Sequence, residues 1–177
     1  MGLVGTLDET YGYFVSNFGE FVGLLQEHVV LVLTSVALAI LVAVPLGVAA
    51  TRNEQVKRVV LGLGNVAQTV PTLAIIALVF PVLGLGFWPS LVGLFTYALL
   101  PILVNTVAGI ESVDDGTVKA ARGMGMTETQ ILRKIELPLA APVIFGGIRT
   151  SAVLNVGTAY LAFFIGGGGL GVWVITG

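Results

Sequence analysis

The chain has no cysteine and a single histidine, and only 10% of its 177 residues are charged. Without cysteine there is no disulfide framework, no thiolate nucleophile and no Cys-ligated metal, and His28 alone cannot assemble a histidine metal site. The charge content falls far below the roughly 25% of a soluble domain, while 56% of the residues are apolar. That composition places the chain in a bilayer. The net charge of −2 is too small to call for nucleic acid or another strongly charged partner. Residues 1–27 hold Asp8, Glu9, Glu20 and Glu27 but no Lys or Arg, the reverse of the basic start of a signal peptide.

The apolar residues fall into runs long enough to cross a membrane as helices. The first spans Val29 to Ala50, the second Val59 to Leu83, the third Leu91 to Ile110 and the fourth Val143 to Ile165, with a further apolar stretch beginning at the end of the chain. Residues 1–27 are expected to form an extracytoplasmic segment, and residues 12–27 either an amphipathic surface helix or a disordered leader. Residues 28–177 form the membrane domain. Arg52, Lys57 and Arg58 lie in the loop 51–58, and Lys119, Arg122, Arg133 and Lys134 in a polar insert, residues 111–142, with Arg149 just beyond it. The other connections carry no basic residue. This alternation predicts a cytoplasmic first loop and insert, with the N-terminus outside.

Polar residues inside the spans repeat at helical spacing. Asn65, Gln68, Thr69 and Thr72 share one face of the second span, Tyr97, Pro101 and Asn105 one face of the third, and Ser151, Asn155 and Thr158 one face of the fourth. Such stripes either line a hydrated path, with Gln68, Thr69, Asn105, Asn155 and Thr158 as its candidates, or hydrogen-bond helix to helix. No Asp, Glu, Lys or His lies deep in a span, which disfavours a proton relay, an intramembrane protease or a metal pump. Energy for uphill transport would enter through a partner. Gly166, Gly168 and Gly171 fit G-x-G-x-x-G, but no acidic residue follows Glu136, so the stretch reads as a turn between membrane segments and no nucleotide cofactor is expected.

In the insert, Asp114 and Asp115 suit the start of a short helix through Ala120 and Ala121. Gly123 and Gly125 suit its end. Thr127 suits the start of a second helix, Glu128 to Ile135, that Leu137-Pro138 would stop. Pro142 would then open the fourth span. The insert so read is a small cytoplasmic knob; the alternative is a solvated loop.

"KAARGMGMTETQILRKIELP" resembles the cytoplasmic "EAA" loop of ABC-importer permeases, with Ala120, Ala121, Gly125, Ile135, Leu137 and Pro138 at the family's spacing and Lys119 where its glutamate stands. "QTVPTLAI" (68–75), "YALLPILVNTVAGI" (97–110) and "GIRTSAVLNVGTAYLAFFIGGGGLG" (147–171) are similar to the osmoprotectant branch, which imports glycine betaine, choline, carnitine or proline betaine. The resemblance, over about residues 29 to 177, implies an all-α, polytopic, MetI-like permease core of five helices. Four are countable here with the beginning of a fifth, so the chain reads as truncated. It implies that the protein is not itself an enzyme and needs no metal or cofactor. Its implied partners are an ATP-hydrolysing ABC subunit that docks the loop from Lys119 to Pro138, an extracytoplasmic binding protein that selects the solute, a second permease subunit, and membrane lipid. A permease for an amino acid such as methionine would keep the same loop. A membrane scaffold with no transport role is the rival from another class.

Overall fold

The computed structural model describes residues 3–176, and side chains from residue 5 onward. Met1, Gly2 and Gly177, at the two ends of the domain boundaries expected above, lie outside the described residues. All regular structure among the described residues is helical: α1 (Leu3–Ser16), α2 (Phe18–Arg52), α3 (Glu54–Thr69), α4 (Thr72–Leu83), α5 (Phe87–Glu111), α6 (Asp115–Gly123), α7 (Glu128–Ile131), a π-helical turn (Leu132–Glu136), α8 (Leu137–Thr158), a 3₁₀ segment (Ala159–Ile165) and α9 (Gly171–Thr176).

α5 is the central helix, packed between α2 and α8. Small residues make this possible. α2 turns Ser35, Ala39, Ala43, Gly47 and Ala50 inward at near four-residue spacing. α8 does the same with Ala140, Ile144, Gly147, Ser151 and Asn155. In lipid there is no hydrophobic drive to bring helices together, so close backbone approach through small side chains supplies the attraction. Gly147 shows how close the approach is: a Cβ there would lie 2.5 Å from the Cβ of Asn105 and 2.7 Å from the carbonyl oxygen of Pro101. The opposite face of α2 exposes Leu33 and Leu41, as a lipid- or subunit-facing surface requires.

Several boundaries differ from those read in the sequence. α2 begins at Phe18, so residues 18–27 belong to one long helix with the first span rather than to a separate surface segment. His28 therefore sits within a helix, buried, its Nε2 3.2 Å from the carbonyl oxygen of Val156. The 51–58 loop shrinks to Asn53, whose side chain accepts from the N–H groups of Gln55 and Val56 and so starts α3 at once. The second span is not straight: α3 and α4 meet at 96°. Pro71 explains the break, because a proline drives the residue before it out of the helical region, and Val70 is extended at φ −84°, ψ 123°.

Leu137-Pro138 does not stop a helix. The backbone passes from α7 through the π-helical turn into α8, and the Leu137 N–H reaches back five residues to the Leu132 carbonyl. This shift admits Pro138, which has no N–H to place, near the start of α8. Among the described residues, three helical stretches are long and apolar enough to cross a membrane, or four if the bent α3–α4 pair counts as one.

Candidate functional site

α6 projects from one end of the bundle, and its caps follow from its sequence. The Asp114 carboxylate accepts from the Thr117 N–H at 2.8 Å and closes the start. At the other end Gly125 takes φ +82°, the Met126 N–H bonds to the Ala121 carbonyl, and the Gly125 N–H bonds to the Arg122 carbonyl. This paired closure needs a left-handed residue at its turn, which glycine supplies without strain. Thr127 and Gln130 then form a reciprocal capping box that starts α7. Arg122 bonds through Nε to Glu128 Oε1 at 2.9 Å and braces α6 against α7.

The loop residues singled out from the sequence divide by exposure. Lys119, Ala120 and Gly125 are exposed, as is Pro138. Ala121 is buried, and Ile135 and Leu137 are half-buried. Met124 stands 75% exposed at the tip. The knob therefore offers a short outer face made by Ala120 and Met124 and an inner face closed by Ala121 and Ile131, while Lys119 shares a side face with Asp115 and Arg122.

The polar seam is less open than the sequence stripes suggest. Pro101 lacks an N–H, so the Tyr97 carbonyl one turn back has no helical partner. The Gln68 side chain of α3 donates to that carbonyl at 3.4 Å. Ser151 of α8 donates to the next carbonyl, that of Ala98, at 3.1 Å. Three helices are thus tied at the proline of the central one. Asn105 is half-buried and returns its amide to the Pro101 carbonyl at 2.8 Å. Thr69 and Thr158 bond back to the carbonyls of Val66 and Leu154 on their own helices. Asn155 differs: it is 1% exposed, and neither its Nδ2 nor its Oδ1 has a partner among the described residues. Gln68 and Asn105 bond to carbonyls on successive turns of α5, those of Tyr97 and Pro101. Among the described residues no side-chain hydrogen bond joins Thr69 or Thr158 to them.

Two ion pairs at the knob's end escaped the sequence reading. Arg52, the last residue of α2, pairs both guanidinium NH₂ groups with both carboxylate oxygens of Glu136 in the π-helical turn. Lys57 of α3 lies 2.6 Å from Oε1 of Glu111, the last residue of α5. The signal available was Glu136 itself, an acid set between the apolar Ile135 and Leu137. A cavity of about 340 Å³ opens here, lined by Arg52, Glu111, Asp115, Lys119, Arg122 and Glu136 among others. At the other end of the bundle the glycine-rich turn packs on α2, where Glu27 accepts from the Gly169 N–H at 3.0 Å.

Comparison with known proteins places this architecture. Residues 30–177 match the family model described as binding-protein-dependent transport system inner membrane component. The chain is 47% identical over 165 residues to the choline transport system permease protein OpuBB of Bacillus subtilis (strain 168), covering 93% of this chain and 76% of that one. It is 44% identical over 171 residues to the glycine betaine/carnitine/choline transport system permease protein OpuCB of the same organism, covering 97% and 79%. An inward-facing structure of the MetNI methionine ABC transporter shares the fold, with TM-score 0.79, 24% identity, and coverage of 88% of this chain and 79% of that one.

Proposed function

Because the chain belongs to the family of binding-protein-dependent transport system inner membrane components, we propose that it is the permease subunit of an ATP-driven importer for quaternary-ammonium compatible solutes such as choline or glycine betaine. The chain supplies the passage, and a partner subunit supplies the ATP hydrolysis. The observation that carries the coupling role is the α6 knob: a short helix capped at both ends, small at Ala120, and apolar at its exposed tip, Met124. Such a shape suits insertion into a groove of a cytosolic motor. Lys119 lies beside that face, lining the cavity at the root of the knob with Asp115 and Arg122.

The solute class rests on the relatives and on one physical point. Gln68, Thr69, Asn105, Asn155 and Thr158 are uncharged, so a passage built from them would offer a cation or zwitterion polar contacts without an ion-pair trap. Selection then falls to an extracytoplasmic binding protein, in which aromatic faces can hold a quaternary ammonium. A second permease subunit completes the passage, since polar groups facing lipid on one protomer are unfavourable. The bias of Lys and Arg toward the α6 end supports a cytoplasmic location for that end and an outside N-terminus.

The test is uptake into cells that express the permease with its ATPase and binding protein and lack other osmolyte carriers. Labelled choline or glycine betaine accumulates and labelled methionine does not. Accumulation of methionine alone would overturn the solute assignment, and no ATP-dependent uptake of any of the three would overturn the reading as a whole.

A further inference from the structure

The two ion pairs have a shared geometry. Arg52 and Lys57 flank Asn53, the elbow between α2 and α3. Their partners, Glu136 and Glu111, bracket the insert: Glu111 ends α5 just before α6, and Glu136 ends the π-helical turn just before α8. One elbow therefore grips both roots of the knob. The grips are unequal. Glu136 is buried, its side chain 6% exposed, and is met on both oxygens by a guanidinium. In the other pair the carboxylate of Glu111 is 45% exposed. A bidentate pair with one buried member fixes orientation as well as distance, whereas an exposed Lys–Glu pair contributes little.

The chain path gives this a mechanical meaning. A push on α6 reaches α8 through the continuous backbone of α7 and the π-helical turn. It has no short backbone route to α2, because the whole of α3, α4 and α5 intervenes in sequence; Val44 and Val48 of α2 meet the start of α8 by apolar packing around Ala140 and Ile144, which can slide, whereas a bidentate ion pair fixes register. The side chain of Arg52 is the direct polar link between the end of α2 and the root of α8. The π-helical turn adds to this, since the widened backbone carries Glu136 to the inner side while its neighbours Arg133 and Lys134 remain exposed. We propose that Arg52 is a positioning residue for coupling: by holding Glu136 it makes the cytoplasmic ends of α2 and α8 move as one body when the motor displaces α6. The inference rests on the transport reading above and adds a residue outside the knob to its machinery.

The experiment uses the full importer in proteoliposomes, with ATP hydrolysis, solute uptake and retention of the ATPase subunit measured on the same preparations. Wild-type importer that shows no ATP-driven uptake would refute the transport reading, not this inference alone. With wild type active, Arg52→Gln is expected to keep the ATPase subunit bound and hydrolysing while solute moved per ATP falls about tenfold, the size of a typical coupling term. The exchanged pair Arg52→Glu with Glu136→Arg is expected to recover part of that ratio, and Arg52→Lys to fall between wild type and Arg52→Gln. Lys57→Gln is expected to leave the ratio within about twofold of wild type, as an exposed pair should. An unchanged ratio in Arg52→Gln would overturn the proposal. Should Arg52→Gln fail to assemble, Arg52→Lys decides: a wild-type ratio there, where the charge is kept and the paired geometry lost, overturns it equally.

Discussion

The side-chain amide of Gln68 donates to the carbonyl of Tyr97, the carbonyl that Pro101 leaves without a helical partner. A proline in the central helix thus creates a docking point, and a neighbouring helix uses it. Gln68→Ala should cost about 1 kcal/mol, because the bond is long and the orphaned carbonyl partly regains local contacts. In a Pro101→Ala background the new N–H at position 101 can serve Tyr97, so the same change should cost less. Thermal unfolding of the four proteins in one detergent gives the double-mutant cycle. Strictly additive effects would dissociate Gln68 from the proline.

Adjacent glycines on α8 should behave oppositely. A methyl group at Gly147 meets the α5 backbone, while a methyl at Gly146 meets nothing within 4 Å. Gly147→Ala is expected to lose about 1–3 kcal/mol by forcing α5 and α8 apart. Gly146→Ala should be neutral or slightly stabilising, since alanine is the better helix former by roughly 1 kcal/mol. Melting temperatures of the two variants, compared with wild type, check both.

Asn155 carries its polar atoms buried and unpartnered. Replacing such a group with an apolar one of similar volume removes a desolvation penalty of about 1–3 kcal/mol. Asn155→Leu is therefore expected to raise the melting temperature, and to lower uptake if the residue serves the path. A more stable variant with full uptake would leave Asn155 without a transport role.

The Lys57–Glu111 pair sets a pH dependence outside the membrane. The hydrogen bond to Glu111 raises the Lys57 ammonium above the ordinary lysine range, with its attraction to Glu111 and Glu54 adding to it and burial working against it. A raised folded-state value means the contribution is fully present below the ordinary lysine value near 10.4 and is lost as pH rises through the higher folded value. Wild type and Lys57→Gln should keep a constant stability difference from neutral pH to about pH 9 and converge only above about pH 10. Unfolding curves across that range test it.

The sequence carried the knob well because capping chemistry is local. Asp114, Gly125 and Thr127 act on backbone within a few residues, so their spacing suffices to place α6 and the start of α7. Four membrane stretches were legible from apolar length alone. The break at Val70–Pro71 was not, because proline inside a membrane helix can either be tolerated, as at Pro45, or end it, as at Pro71, and neighbours decide which. The π-helical turn reversed the expectation at Leu137-Pro138 for the same reason: a one-residue shift in bonding removes the conflict without leaving a compositional trace. The pairings of Arg52 with Glu136 and of Gln68 with Tyr97 join residues 84 and 29 positions apart. Periodicity within one helix cannot report such contacts.

The stripes shared this fate. Ser151 and Gln68 had the spacing of a lining, and both bond across to α5. The same polar residue can serve a passage or a helix contact, and only the neighbouring helix distinguishes the two.

If α6 passes the motor's work into the membrane helices, enlarging its outer face must break transport. Ala120 lies exposed on the knob while Ala121 is buried, so a bulky residue at 120 should block docking without disturbing the fold. In proteoliposomes containing the complete importer and internal ATP, Ala120→Trp is expected to retain the wild-type melting temperature but lose both the ATPase subunit and choline or glycine betaine uptake. Wild-type uptake by a folded Ala120→Trp variant would contradict the account.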